Sequence, residues 1–277
     1  MNAFSSAGRL LQAYLFGKRY PFSVTFLATY RCNFSCPYCA IPGFSGAEMD
    51  TAQVKRMIDE FAACGTRRLS FNGGEPLLRP DIEELTAYCR KKNLFTTIFT
   101  NGWLVEQNLG AIKNLNLLIV TLDGPEAVHD SQRNKPGSFR RAVSAIAAAR
   151  KNGIPVWTNT VLTKNNCREM DFIVRLAGEM RFSMIVQPVL PYSHSASAGE
   201  IAALRASQQD HQEAVRFLIR RKKEGAPVAH SFTYLRHILN PDWPANKRKC
   251  WAALCLPLDN CARTISLAYF MIFNGRP

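Results

Sequence analysis

No stretch of this 277-residue chain reaches the roughly 18 unbroken apolar residues of a membrane-spanning helix, so such a helix is not expected. The first residues lack an apolar h-region followed by a small-residue cleavage site, so no secretory signal is read and a cytoplasmic location is expected. Acidic residues are scarce: 21 Asp and Glu against 35 Lys and Arg leave a formal charge of +14. That excess raises RNA or an anionic membrane surface as a partner, but no aromatic-interleaved RNA-binding motif accompanies it. Much of it falls late, in Arg216, Arg220-Arg221-Lys222-Lys223 and Lys247-Arg248-Lys249, a pattern that a solvated helix face or linker also produces. A P-loop, a Rossmann glycine fingerprint and a Ser/His/Asp triad are all missing, so no acid–base role is assigned. No internal repeat of solenoid period is visible. An apolar content of 47% excludes general disorder.

What is present is cysteine, nine in all. Disulfide scaffolds are normally short and secreted, so clustered thiols in a long chain point to a reducing compartment and to metal. Cys32, Cys36 and Cys39 stand in TYRCNFSCPYCAIPG with the spacing C-x3-C-x2-C. Thiolates ligate iron–sulfur clusters. Three of them can hold a four-iron cluster and leave one iron open to a small molecule. A zinc loop or three unrelated thiols are the alternatives. Closed structural zinc sites take four ligands, and no fourth Cys or His lies near this loop. Cys64, Cys89 and Cys167 are read as small buried hydrophobes.

Between residues 20 and 192 strand-like and helix-like segments alternate. Strands are expected at 22–29, 67–72, 94–100, 117–122, 155–162 and 183–189, with helices near 50–64, 80–92, 103–114, 138–152 and 168–180. Asp50 with Gln53 and Pro80-Asp81 mark helix starts, and Lys151-Asn152-Gly153 a helix end. Six βα units imply a parallel sheet covered by helices. The fold class is therefore α/β, a partial (β/α)6 barrel, open rather than closed. An amphipathic helix is expected over 1–19 and a mainly helical or irregular appendage over 193–277. The appendage includes one long helix at 200–223 and a Pro-rich, Trp-bearing, basic stretch at 224–249.

Several strands end in polar turns, where α/β barrels gather their sites. Gly73-Gly74-Glu75-Pro76 closes the second: its glycines would let a ligand approach the backbone, and Glu75 could accept hydrogen bonds from an ammonium group. Thr100-Asn101-Gly102 and Thr121-Leu122-Asp123-Gly124 close the third and fourth. Each is also explained as a turn. His129 and Arg133 follow as H-x3-R, with Arg133 able to take a carboxylate in fork geometry or to be an ordinary loop arginine. His129 is read as structural. Asn159 and Gln187 could face the barrel interior.

Over roughly residues 20–190 the ordered series CNFSCPYC, GGEP, LDGPEAVHD and GSF resembles the radical S-adenosylmethionine (SAM) enzymes, most closely their SPASM/twitch-type branch. The resemblance implies a [4Fe–4S] cluster on Cys32, Cys36 and Cys39, with SAM chelated through its amino and carboxylate groups to the open iron. It places Tyr38, Gly73, Gly74, Glu75, Thr100, Asn101, Thr121, Asp123 and Arg133 around SAM, with Glu75 near the amino group and Arg133 near the carboxylate. It further implies reductive cleavage to a 5′-deoxyadenosyl radical, hydrogen abstraction from a peptide or small-molecule substrate in peptide modification or cofactor maturation, and an electron donor such as a flavodoxin or ferredoxin. The same branch carries auxiliary clusters in a C-terminal extension. Here Cys250, Cys255 and Cys261 are spaced C-x4-C-x5-C, without the usual glycine, so the extension reads as short or incomplete and its cysteines as an auxiliary cluster site, a zinc site or packed thiols. An RNA- or lipid-modifying member and a non-catalytic metal-binding protein are the rival readings.

Overall fold

The computed structural model describes residues 21–41, 44, 46–189, 198–240 and 255–258. The six expected strands form within a residue or two of their expected limits: β1 Ser23–Thr29, β2 Arg68–Gly73, β3 Phe95–Thr100, β4 Leu117–Thr121, β5 Val156–Leu162 and β6 Ser183–Pro188. All neighbours pair in parallel, in the order β6-β5-β4-β3-β2-β1. A seventh strand, β7 Cys255–Leu258, extends the sheet beyond β1, with Ser23 opposite Cys255. The sheet does not close, in keeping with the open barrel expected.

Helices α1 Thr51–Cys64, α2 Ile82–Lys91, α3 Leu109–Ile112, α4 Glu126–Arg133, α5 Ser138–Lys151 and α6 Met170–Met180 follow the strands. Alternation along each strand separates two faces. Val24, Phe26, Leu69, Phe71, Ile98, Leu118, Val120, Met184 and Val186 join Val54, Ile58, Leu85, Ile146 and Ile173 of the helices in one core. Fully burying such a side chain stabilises by roughly 1.5–3 kcal/mol. On the other face Thr25, Ser70, Phe99, Thr121, Trp157 and Ile185 remain partly exposed. That face lines the open side of the barrel.

Local signals explain most helix limits. Asp50 and Gln53 form a reciprocal capping box at the start of α1, and Gly153 takes φ of +75° just after α5. Asp81, expected as a cap, makes no capping hydrogen bond; its carboxylate instead accepts from Arg79 and Thr51. The helix expected at 103–114 shrinks to a 3-10 turn at Glu106–Asn108 and the four-residue α3. Residues 126–133, read as a turn and loop, form α4, whose buried residues are the polar His129, Gln132 and Arg133. The single helix expected at 200–223 is two, α7 Ala198–Ala202 and α8 Gln208–Lys223, because Ser207 caps α8 through the Asp210 N–H. A further helix, α9 Phe232–Leu239, arises within the stretch read as irregular. Val215 and Leu218 of α8 and Leu235 and Ile238 of α9 join the barrel core. Cys89 and Cys167 are buried as expected, but Cys64 is exposed; as the last residue of α1 it lies off the face that Val54 and Ile58 bury.

The amphipathic helix expected at 1–19 lies outside the described residues, as do Cys250 and Cys261. No described helix is long and apolar enough to cross a membrane.

Candidate functional site

The cysteine loop leaves the C-terminal end of β1 and is braced at both ends. Thr29 Oγ1 donates to Glu48 Oε1 at 2.5 Å, and Tyr30 N–H reaches the same oxygen. Arg79, buried, donates from Nη1 to the carbonyls of Ala28 (2.9 Å) and Met49 (3.2 Å). The two ends of the loop are thereby drawn together. Ala40, beyond the third cysteine, packs with Val161, Val189 and Ile201.

Gly73 and Gly74 serve this loop through their size. The Gly74 N–H donates to Thr29 O at 2.8 Å and the Glu75 N–H to Arg31 O at 2.9 Å, carrying the β1–β2 pairing on into the loop. A Cβ on Gly74 would stand 2.1 Å from Arg31 O, and one on Gly73, at φ of +119°, 2.3 Å from Thr29 O. The glycines expected to admit a ligand admit the backbone of the cysteine loop.

Glu75 is wholly buried. Its carboxylate accepts from Leu77 N–H (3.1 Å), Asn101 N–H (2.8 Å) and Thr100 Oγ1 (2.9 and 3.0 Å). It thus ties the ends of β2 and β3 together and caps the 3-10 turn Pro76–Leu78. Burial outweighs those hydrogen bonds and pushes its pKa up to about 7 from 4.5. Because the folded value lies above the ordinary one, the fold favours the protonated form. Glu75's contribution is then complete below about pH 4.5 and lost as pH rises through about 7, on the order of 3 kcal/mol. Thermal melts of cluster-free protein should show stability falling across that window, and a Glu75→Gln variant should show a flatter dependence. Equal slopes would refute this.

Asn101 uses both ends of its amide: Nδ2 donates to Asn33 Oδ1 at 2.7 Å, and Oδ1 accepts from Trp103 N–H at 2.9 Å. Asn33 belongs to the cysteine loop. Thr121 Oγ1 donates to Thr100 O at 3.4 Å and remains partly exposed.

Asp123 is the hub. Wholly buried, it accepts from Val161 N–H on Oδ1 (2.9 Å) and from Tyr38 Oη on Oδ2 (3.3 Å). Its own N–H donates to His129 Nδ1 at 3.0 Å, and its carbonyl accepts from Asn166 Nδ2 at 2.9 Å. Arg133 brings Nε to 2.9 Å from Oδ2 as an ion pair, off the line of a hydrogen bond. The guanidinium lies 5.3 Å from the Tyr38 ring centroid, and Nη1 sits 3.7 Å from Cys36 Sγ. Burial makes His129 hard to protonate, lowering its pKa to about 4.

The structure therefore brings Cys32, Cys36, Cys39, Tyr38, Gly73, Gly74, Glu75, Thr100, Asn101, Thr121, Asp123 and Arg133 into one connected assembly. Asn159 is buried on β5 opposite Thr121, with Oδ1 unpartnered, while Gln187 on β6 is exposed. Cys255 lies apart: it pairs with the start of β1, whereas the three-cysteine loop follows the end. Sequence reasoning missed Asn33, Glu48, Arg79 and Asn166, each of which fixes a loop backbone through a side chain.

The donor set suits an iron–sulfur cluster. Burial pushes the Cys32 thiol up to about 11 and raises that of Cys39; mutual repulsion among the cysteines adds to both shifts. Bound iron reverses that logic by stabilising thiolates. Among the described residues no three His, Cys, Asp or Glu side chains converge on a single metal ion. Arg133 Nη2 is buried without a partner, a donor available to an anionic group beside Cys36.

The family model described as the radical SAM superfamily matches residues 26–177. The chain belongs to this superfamily of enzymes, whose cofactors are a [4Fe–4S] cluster and SAM. The AdoMet-dependent heme synthase of Methanosarcina barkeri (strain Fusaro / DSM 804) is 34% identical over 157 residues, 54% of this chain and 45% of its own. The PqqA peptide cyclase of Gluconobacter oxydans (strain 621H) is 33% identical over 167 residues, 58% of this chain and 47% of its own. The chain thus spans about half the length of the curated relatives it matches. In fold it is similar to Streptococcus suis SuiB bound to S-adenosylmethionine: TM-score 0.72 at 15% identity, covering 92% of this chain and 63% of that one. Native anSMEcpe with bound AdoMet gives 0.65 at 20% identity, covering 86% and 72%.

Proposed function

We propose that this chain reductively cleaves SAM and uses the resulting radical to abstract hydrogen from a substrate, with a peptide as the substrate class. The observation that carries the reading is the three-cysteine loop locked against the strand ends by Gly74, Glu75, Asn101 and the Asp123–Arg133 pair. When bound, the cluster supplies the electron that splits the sulfonium to a 5′-deoxyadenosyl radical. The chain's own residues hold the loop in register and keep Arg133 Nη2 free for the SAM carboxylate. The partly exposed face bearing Thr121, Trp157 and Ile185 is the surface on which adenosine and substrate would lie. The likeness to relatives named PqqA peptide cyclase supports a peptide. Relatives named as a heme synthase and an Fe-coproporphyrin III synthase favour cofactor maturation as the second reading. Membership of the SPASM/twitch-type branch, a boundary near residue 192, a small electron-transfer protein as donor and a cytoplasmic setting belong to the same proposal.

Anaerobically reconstituted protein given dithionite and SAM should release 5′-deoxyadenosine, and Cys36→Ala should abolish it. Product formation unchanged in Cys36→Ala, or absent from loaded wild-type protein, would refute the proposal. Deuterium transfer into 5′-deoxyadenosine from a labelled peptide, and none from a labelled tetrapyrrole, would separate the two substrate classes.

A further inference from the structure

Arg133 has more contacts than carboxylate binding requires. Its side chain is only 7% exposed, its counter-ion is the wholly buried Asp123, and Nη1 lies 3.7 Å from Cys36 Sγ. We propose that the Asp123–Arg133 pair sets the reduction potential of the cluster through the Nη1–Cys36 contact, with His129 as a positioning residue. This rests on Cys36 being a cluster ligand, as in the function proposed above.

Reduction adds negative charge to an iron–sulfur cluster. A hydrogen bond and a positive charge at a ligating sulfur favour the reduced state and raise the potential. Water screens that charge little at a site this buried. Asp123 opposes it, because its carboxylate neutralises the guanidinium. The balance therefore depends on how the Asp123 oxygens are held. Val161 N–H fixes Oδ1 at 2.9 Å, and the Asp123 N–H is anchored on His129 Nδ1 at 3.0 Å. To accept there, His129 must carry its proton on Nε2, and Nε2 is buried without a partner. The imidazole has no other hydrogen-bonding task in the structure: it holds the Asp123 backbone. Nη2 remains for the SAM carboxylate, so the two roles of Arg133 use different nitrogens.

The test is the midpoint potential of the reconstituted cluster without SAM, followed by electron paramagnetic resonance during a redox titration, with iron and sulfide counted on each sample. Arg133→Gln should shift the potential to a more negative value. Arg133→Lys, which keeps the charge and loses the fork, should shift it the same way by less, and it carries the comparison if the glutamine variant takes up no cluster. Asp123→Asn should shift it the opposite way. His129→Leu should move the midpoint and His129→Asn, which keeps an acceptor near Nδ1, should restore it. Arginine variants fully loaded yet at the wild-type potential, or Asp123→Asn shifting with Arg133→Gln, would overturn the proposal. Equal potentials for the two His129 variants would remove His129 from it. Wild-type protein that holds no cluster at all would overturn the proposed function itself, a result distinct from an unmoved potential.

Discussion

Gly74→Ala is expected to yield protein that keeps its barrel and takes up almost no iron. The added methyl would meet the Arg31 carbonyl at 2.1 Å, and the neighbouring atoms, Arg31 C and Tyr30 O, also belong to the backbone. No side chain can swing aside. Ordinary overpacking costs about 1–3 kcal/mol, and a clash with fixed backbone exceeds the low end of that range. The weaker partner is the loop, held by a handful of side-chain hydrogen bonds, rather than the sheet. It should detach, taking Cys32 out of position. Gly137→Ala is the control: at φ of +79°, with nothing within 4 Å of its Cβ, it should cost only about 1 kcal/mol and load normally. Iron content and circular dichroism on both variants decide the matter. Normal iron in Gly74→Ala would show that the contact with the loop is dispensable.

Asp123→Ala should be the most damaging substitution of a side chain in the assembly. It leaves the Arg133 guanidinium buried without its counter-ion, and breaking a buried pair from one side costs about 3–5 kcal/mol. It also removes the acceptor for Val161 N–H and Tyr38 Oη. Replacing both partners, as Asp123→Ala with Arg133→Met, should recover part of the loss, because no buried charge remains. Denaturant unfolding of the cluster-free single and double variants completes the cycle. A double variant less stable than Asp123→Ala alone would contradict the pairing.

The strands were legible because buried parallel strands are written as short apolar, β-branched runs. Phe22–Thr29 and Leu117–Leu122 are such runs, and their limits held within a residue or two. Helix α4 was hidden by the opposite circumstance. Its buried side chains are His129, Gln132 and Arg133, so hydrophobic periodicity carries no trace of it. The chemistry of the cysteine loop was legible from spacing alone. Its supports were not, since Tyr38 and Asp123 are 85 residues apart and Cys36 and Arg133 are 97 apart. Local pattern names the residue types but not their partners. Glycines 73 and 74 show this best: the sequence says that something passes close, and only the fold says that it is the loop itself. Glu48 and Arg79 read as ordinary surface charges until the return of the loop brings them to the end of β1.

The most direct test of the account is the state of the metal in protein purified and reconstituted without oxygen. Mössbauer spectroscopy should show four iron atoms per chain on Cys32, Cys36 and Cys39, one of them spectroscopically distinct and shifting when SAM is added. Bound zinc at this loop, or a cubane whose four irons are all ligated by side chains and do not respond to SAM, would contradict it.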